Sequence, residues 1–125
     1  MTSSIIQHVG QVGIPVKNIG RATQFYKEIL QLPLLFQTDT MAFFQLNDLR
    51  LMLALPEKEE FAHPSSVLYF NVENIQDVFD QLKYVVSFVS TPHVVTKIGQ
   101  TETWMVFFKD TEDNTHAFMS EVTVS

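Results

Sequence analysis

Apolar and polar positions repeat along this chain in a way that divides it into two halves. "VGIPVKNI" (12–19) and "LYFNVENI" (68–75) share one pattern, an apolar extended run followed by valine, a charged residue, asparagine and isoleucine, at an offset of 56 residues. Each asparagine suits a helix N-cap, because its side-chain oxygen accepts a hydrogen bond from an unpaired backbone N–H of the first turn. Beyond the caps, Ile19, Ala22, Tyr26 and Ile29 are spaced 3, 4 and 3 apart, and Ile75, Val78, Leu82 and Val85 repeat that spacing. This is the stripe of a helix with one face on a core, and it predicts helices over about 19–31 and 75–84.

Strand-like runs follow each helix. In the first half they are "PLLFQT" (33–38), "MAFFQL" (41–46) and "LRLMLAL" (49–55); in the second they are "VVSFVS" (85–90), "TWMVFFK" (103–109) and "HAFMSEV" (116–122). Phe43-Phe44 and Phe107-Phe108 form a second repeated pair, now 64 residues apart. The second half therefore carries about eight extra residues, which fall in "STPHVVTKIGQTE" (90–102). "PEKEEFAHPS" (56–65), polar and bracketed by prolines, reads as a linker. The expected architecture is α+β: one domain of two β-α-β-β-β modules, about 5–55 and 66–124, joined by linker 56–65. "WMVFF" does not alternate in polarity, so both faces of that strand expect cover, one of them by a helix.

Composition narrows the function. A net charge of −6, with only 8 scattered Lys and Arg, disfavours nucleic acid as a partner, since phosphate contacts need clustered cations. The absence of cysteine removes disulfides, thiolate metal sites and cysteine nucleophiles. The N-terminal stretch lacks the basic and apolar regions of a signal peptide, and no run of 18 apolar residues occurs, so a cytoplasmic protein without a membrane partner is expected. No G-x-S-x-G, H-E-x-x-H, G-x-G-x-x-G or P-loop motif is present.

"QVGIPVKNIGRATQFYKEILQLPLLF" (11–36) resembles the opening strand, helix and strand of the vicinal oxygen chelate superfamily, which includes glyoxalase I, bleomycin resistance proteins and extradiol dioxygenases. "FFKDTEDNTHAFM" (107–119) resembles that family's closing "F-R-D-P-D-G-N-x-x-E-L". The resemblance spans nearly the whole chain and implies that two modules form a cup, commonly in a homodimer. It also implies four metal-ligand positions, on the first and last strands of each module. They fall here at Gln11, Met52, Val67 and Ala117. A divalent ion needs several nitrogen or oxygen donors, and only Gln11 offers one. No cofactor is therefore expected, and a divalent metal only through a shifted site.

Strand parity extends the candidate list from those positions. Tyr69 shares a face with Val67, and Met119 and Glu121 share one with Ala117, whereas His116 points away unless the register slips by one residue. His93 lies in the extra segment and Trp104 on the following strand. The candidate ligand-binding residues are thus Gln11, Met52, Val67, Tyr69, His93, Trp104, Ala117 and Met119, and the candidate catalytic groups are Glu121 and His93. Three functions stay open: a metal-free cup for a small, largely apolar molecule; a metal-dependent lyase, isomerase or dioxygenase using Gln11, His116, Glu121 or His93; and a non-catalytic association module.

Overall fold

The computed structural model describes residues 5–124. The chain forms two compact units, Met1–Pro64 and Ser65–Ser125, each a mixed α+β layer with one helix on one face of one sheet.

In the first unit β1 (Gln11–Pro15) leads to α1 (Ile19–Gln24), and then come β2 (Leu34–Gln37), β3 (Met41–Leu46) and β4 (Leu49–Ala54). The sheet order is β1-β4-β3-β2, with β1 parallel to β4 and the other pairs antiparallel. Asn18 caps α1 as its sequence context predicts: its side-chain oxygen accepts the Arg21 N–H at 3.0 Å. The predicted helix extends over the right residues but not as a uniform α-helix. It continues as a π-helical turn over Phe25–Ile29, closed by the Leu30 N–H on the Phe25 carbonyl at 3.1 Å. The wider turn does not displace the stripe: Ala22 and Tyr26 have no exposed surface, and they face Ala42, Phe44, Leu51 and Leu53, which have none either.

In the second unit β5 (Tyr69–Asn71) is followed by α2 (Ile75–Leu82), β6 (Ser87–Phe88), β7 (His93–Ile98), β8 (Thr101–Lys109) and β9 (Thr115–Thr123). The order is β5-β9-β8-β6, and β7 also pairs with β8. Asn74 caps α2 through the Asp77 N–H at 3.1 Å. Two expectations are corrected here. First, α2 ends at Leu82, so Val85 does not complete the helical stripe; it is exposed, and Val86 turns inward instead. The cause is a tight turn in which the N–H groups of both Val85 and Val86 reach the Leu82 carbonyl. Second, the extra residues of this half form a hairpin. β7 folds back on β8, and Gly99 sits at the bend with φ of +61°, a conformation that costs a glycine little. The second unit is therefore β-α-β-β-β-β, one strand longer than the predicted module.

Candidate functional site

The open face of the first sheet is its richest chemical surface. Alternation along β1 sends Ile14 to the helix side and Gln11, Gly13 and Pro15 to the open side. Pairing brings Gly13 opposite Met52, and Met52 opposite Phe43. Phe43 stacks on Phe36 with ring centroids 4.7 Å apart, and the Arg50 guanidinium lies 5.9 Å from the Phe43 centroid. The Gln11 amide approaches the Met52 sulfur at 3.6 Å. Gln11 and Met52, both candidate ligand-binding residues, are thus in contact with each other.

A cavity of about 610 Å³ opens over this face, lined by Gly13, Pro15, Met41, Met52, Leu55 and Phe61, among others. That is the size range of sites for drug-like molecules. Its outer wall was not foreseen. The segment expected to be a plain linker turns through a 3₁₀ helix at Glu59–Phe61, and Pro56, Glu57, Phe61 and His63 all line the cavity. The available signal was Phe61 itself, an aromatic residue in an otherwise polar stretch between prolines.

In the second unit, register decides which side chains share a face. Tyr69, Ala117 and Phe107 lie in one row across β5, β9 and β8. The Tyr69 and Phe107 rings meet edge to face with centroids 6.3 Å apart. Ala117, in the row between them, has no exposed surface although it stands on the helix-free face. Met119 pairs with Met105, which pairs with His93, so these three form the next row. Glu121 is exposed two residues further along β9. Val67, just before β5, is 39% exposed. His93 is exposed, and one ring nitrogen contacts the Thr91 carbonyl at 2.8 Å.

Two candidates do not join that face. Trp104 pairs with Ser120, whose buried hydroxyl donates to the Val72 carbonyl at 2.8 Å, so both belong to the helix-bearing side. Strand parity puts Trp104 on the face away from Met105 and Met119, and its indole N–H reaches Glu102 at 3.3 Å. His116 is also on the helix side, fully buried against Phe70 and Phe108. The register question is thereby answered: Ala117 takes the open face and His116 the core. The first imidazole nitrogen, Nδ1, accepts the Leu68 N–H at 3.3 Å, which places the ring proton on Nε2, facing Asp110 Oδ2 at 3.8 Å. Asp110 also accepts the N–H groups of Glu112 and Asn114 and the Asn114 side-chain amide, at 2.8, 2.9 and 3.0 Å. These polar groups hold the β8–β9 turn to the chain entering β5, since Asn114 accepts the Ser65 N–H at 3.1 Å.

Donor chemistry at the four resemblance-derived positions is an amide, a thioether and two hydrocarbon side chains, a set that does not fit a divalent ion. Among the described residues, no three His, Cys, Asp or Glu gather as a metal-binding group. Nor is any helix there long and apolar enough to cross a membrane.

The sequence pattern of the Glyoxalase/Bleomycin resistance protein/Dioxygenase superfamily matches residues 5–118. The chain belongs to this superfamily. Solved structures with the superfamily fold agree. A superfamily member from Sphaerobacter thermophilus DSM 20745 superposes with a TM-score of 0.77 at 16% identity, covering 94% of this chain and 99% of the other. Lactoylglutathione lyase from Agrobacterium tumefaciens gives 0.72 at 12% identity, with coverage of 92% and 94%. TnmS3, an antibiotic-binding protein from Streptomyces sp. CB03234, gives 0.74 at 17% identity, with coverage of 96% and 100%. At these identities the likeness is one of fold, so the superfamily's diverse activities must be sorted by the residues of this chain.

Proposed function

We propose that this superfamily member is a metal-free binding protein for a small, largely apolar organic molecule, held on the open face of the first sheet. The observation that carries the reading is the cavity of about 610 Å³ walled by Pro15, Met41, Met52, Leu55, Pro56 and Phe61. Thioethers and aromatic rings adapt to flat apolar ligands, and the few polar groups in the lining, Thr40, Glu57 and His63, then orient them. The open face of the second sheet, with Tyr69, Met105, Phe107, Ala117 and Met119, has the same apolar character. That TnmS3, a protein of similar fold, is an antibiotic-binding protein supports a small-molecule binding role. The reading includes a cytoplasmic homodimer; light scattering on the purified protein would check the dimer.

Two measurements test it. Elemental analysis after incubation with Ni, Mn, Fe and Zn is expected to show no stoichiometric metal; stoichiometric uptake abolished by Gln11→Ala would overturn the reading. A thermal-shift screen with neutral aromatic compounds is expected to yield ligands that raise Tm, since a compound at about 100 times its Kd stabilises the native state by about 2.7 kcal/mol. Gly13→Leu should remove that shift. The Gly13 backbone is open to a side chain, because an added Cβ would lie 3.6 Å from the Met52 methyl, an ordinary contact, and the rest of the leucine would occupy the cavity.

A further inference from the structure

The segment between the two modules does more than connect them. Its prolines, Pro56 and Pro64, restrict the chain on either side of the 3₁₀ turn at Glu59–Phe61. The turn is held by the Phe61 N–H on the Lys58 carbonyl at 3.0 Å and the Ala62 N–H on the Glu59 carbonyl at 2.9 Å. This local geometry brings three residues of different chemistry to the cavity: an aromatic ring at Phe61, a carboxylate at Glu57 and an imidazole at His63. The His63 ring nitrogen Nδ1 sits 2.9 Å from the Pro64 carbonyl, which turns the ring by a contact within the same segment.

Charge is distributed unevenly around the cavity. Glu57 is the single carboxylate among the residues lining it, and no Lys or Arg lines it. Among the described residues, Glu57 forms no ion pair within 4.0 Å. Glu59 and Glu60 follow on the same segment against one Lys58, so the local field is negative as well. Phe61 is 52% exposed, a large ring left partly in water at the edge of an apolar cavity. A flat ring with a positive group matches both features: it covers Phe61 and Met52, and its charge meets Glu57.

We propose that segment 56–63 is the ligand-selecting wall of the first-unit cavity, with Phe61 contacting an aromatic ring and Glu57 favouring ligands that carry a protonated amine over neutral or anionic ones. The inference rests on the reading of that cavity as a ligand site. Exposed charge pairs contribute modestly, so Glu57 supplies about a 2- to 5-fold preference and no more. The Phe61 ring acts without regard to charge, and its removal weakens all aromatic ligands together.

Three probes of nearly equal shape separate these effects: 2-naphthylmethylamine, 2-naphthylmethanol and 2-naphthoate. They are titrated by calorimetry at about pH 8, where the alkylamine stays cationic. The expected order of affinity in the parent protein is amine, alcohol, carboxylate, each step about 2- to 5-fold. Glu57→Gln should bring the amine and the alcohol together, Glu57→Lys should reverse the order, and Phe61→Ala should weaken all three by similar factors. Both side chains are exposed, and unchanged circular dichroism confirms the fold of each variant. If the alcohol binds and Gly13→Leu abolishes its binding, but the amine shows no preference that Glu57→Lys reverses, charge selection is overturned while the cavity reading stands. If none of the probes binds the parent protein, the cavity reading and the selecting wall fall together.

Discussion

Replacement of His116 tests whether the core of the second unit depends on a polar contact as well as on packing. Its ring has no exposed surface and sits 5.8 and 5.9 Å from the Phe70 and Phe108 centroids. His116→Ala removes that ring from a close-packed site, which costs about 2–4 kcal/mol by analogy with other large-to-small core changes. It also leaves the Leu68 N–H without its acceptor, at a further cost of about 1–2 kcal/mol. His116→Phe retains the ring volume but not the acceptor, so about 1–3 kcal/mol is expected from the hydrogen bond and the altered environment of Asp110. His116→Asn keeps an acceptor at the position of Nδ1 and loses part of the volume. Trp104, the chain's one tryptophan, lies in this unit, so its fluorescence in a urea titration reports the relevant transition. With a denaturant slope of about 1–2 kcal/mol per molar, His116→Ala should lower the urea midpoint by about 3 M, and His116→Phe by about half of that. Midpoints for both variants within about 0.5 M of the parent would refute the reasoning. Equal losses for His116→Phe and His116→Ala would show that the acceptor, and not the ring, dominates.

Other outcomes follow from the same geometry. Ala117→Glu places a carboxylate at a site with no exposed surface between Tyr69 and Phe107; it should destabilise by about 2–4 kcal/mol in urea titrations and confer no stoichiometric Mn or Ni binding by elemental analysis. Asp110→Ala deprives three N–H donors of one acceptor group, so a loss of about 3 kcal/mol or more is expected by chemical denaturation. Asn74→Ala should cost about 1 kcal/mol by removing the α2 cap, and Asn74→Asp, which preserves the acceptor, should cost much less.

How far the sequence reached can be read from particular elements. The caps Asn18 and Asn74, the stripes beneath them and the strands around Phe43-Phe44 and Phe107-Phe108 were legible, because each is set by nearest-neighbour geometry: hydrogen bonds within one turn, or alternation along one strand. Contact between Gln11 and Met52 became visible only once β1 paired with β4. The face of Trp104 was not legible because a bulky apolar residue in an apolar run carries no sign of which face it takes; pairing with Ser120 decides that. β7 was missed because "HVVTKI" is exposed throughout and becomes a strand only against β8. The cavity wall at Glu57, Phe61 and His63 depended on a 3₁₀ turn between prolines folding toward the open face of the first sheet. Local chemistry along the chain thus determined the two-module pattern and the amide, thioether and two hydrocarbon side chains at Gln11, Met52, Val67 and Ala117. Tertiary structure alone decided that Ala117 faces outward from the helix while His116 enters the core. A one-residue change of strand register exchanges every side chain between the two faces, and only cross-strand pairing sets that register.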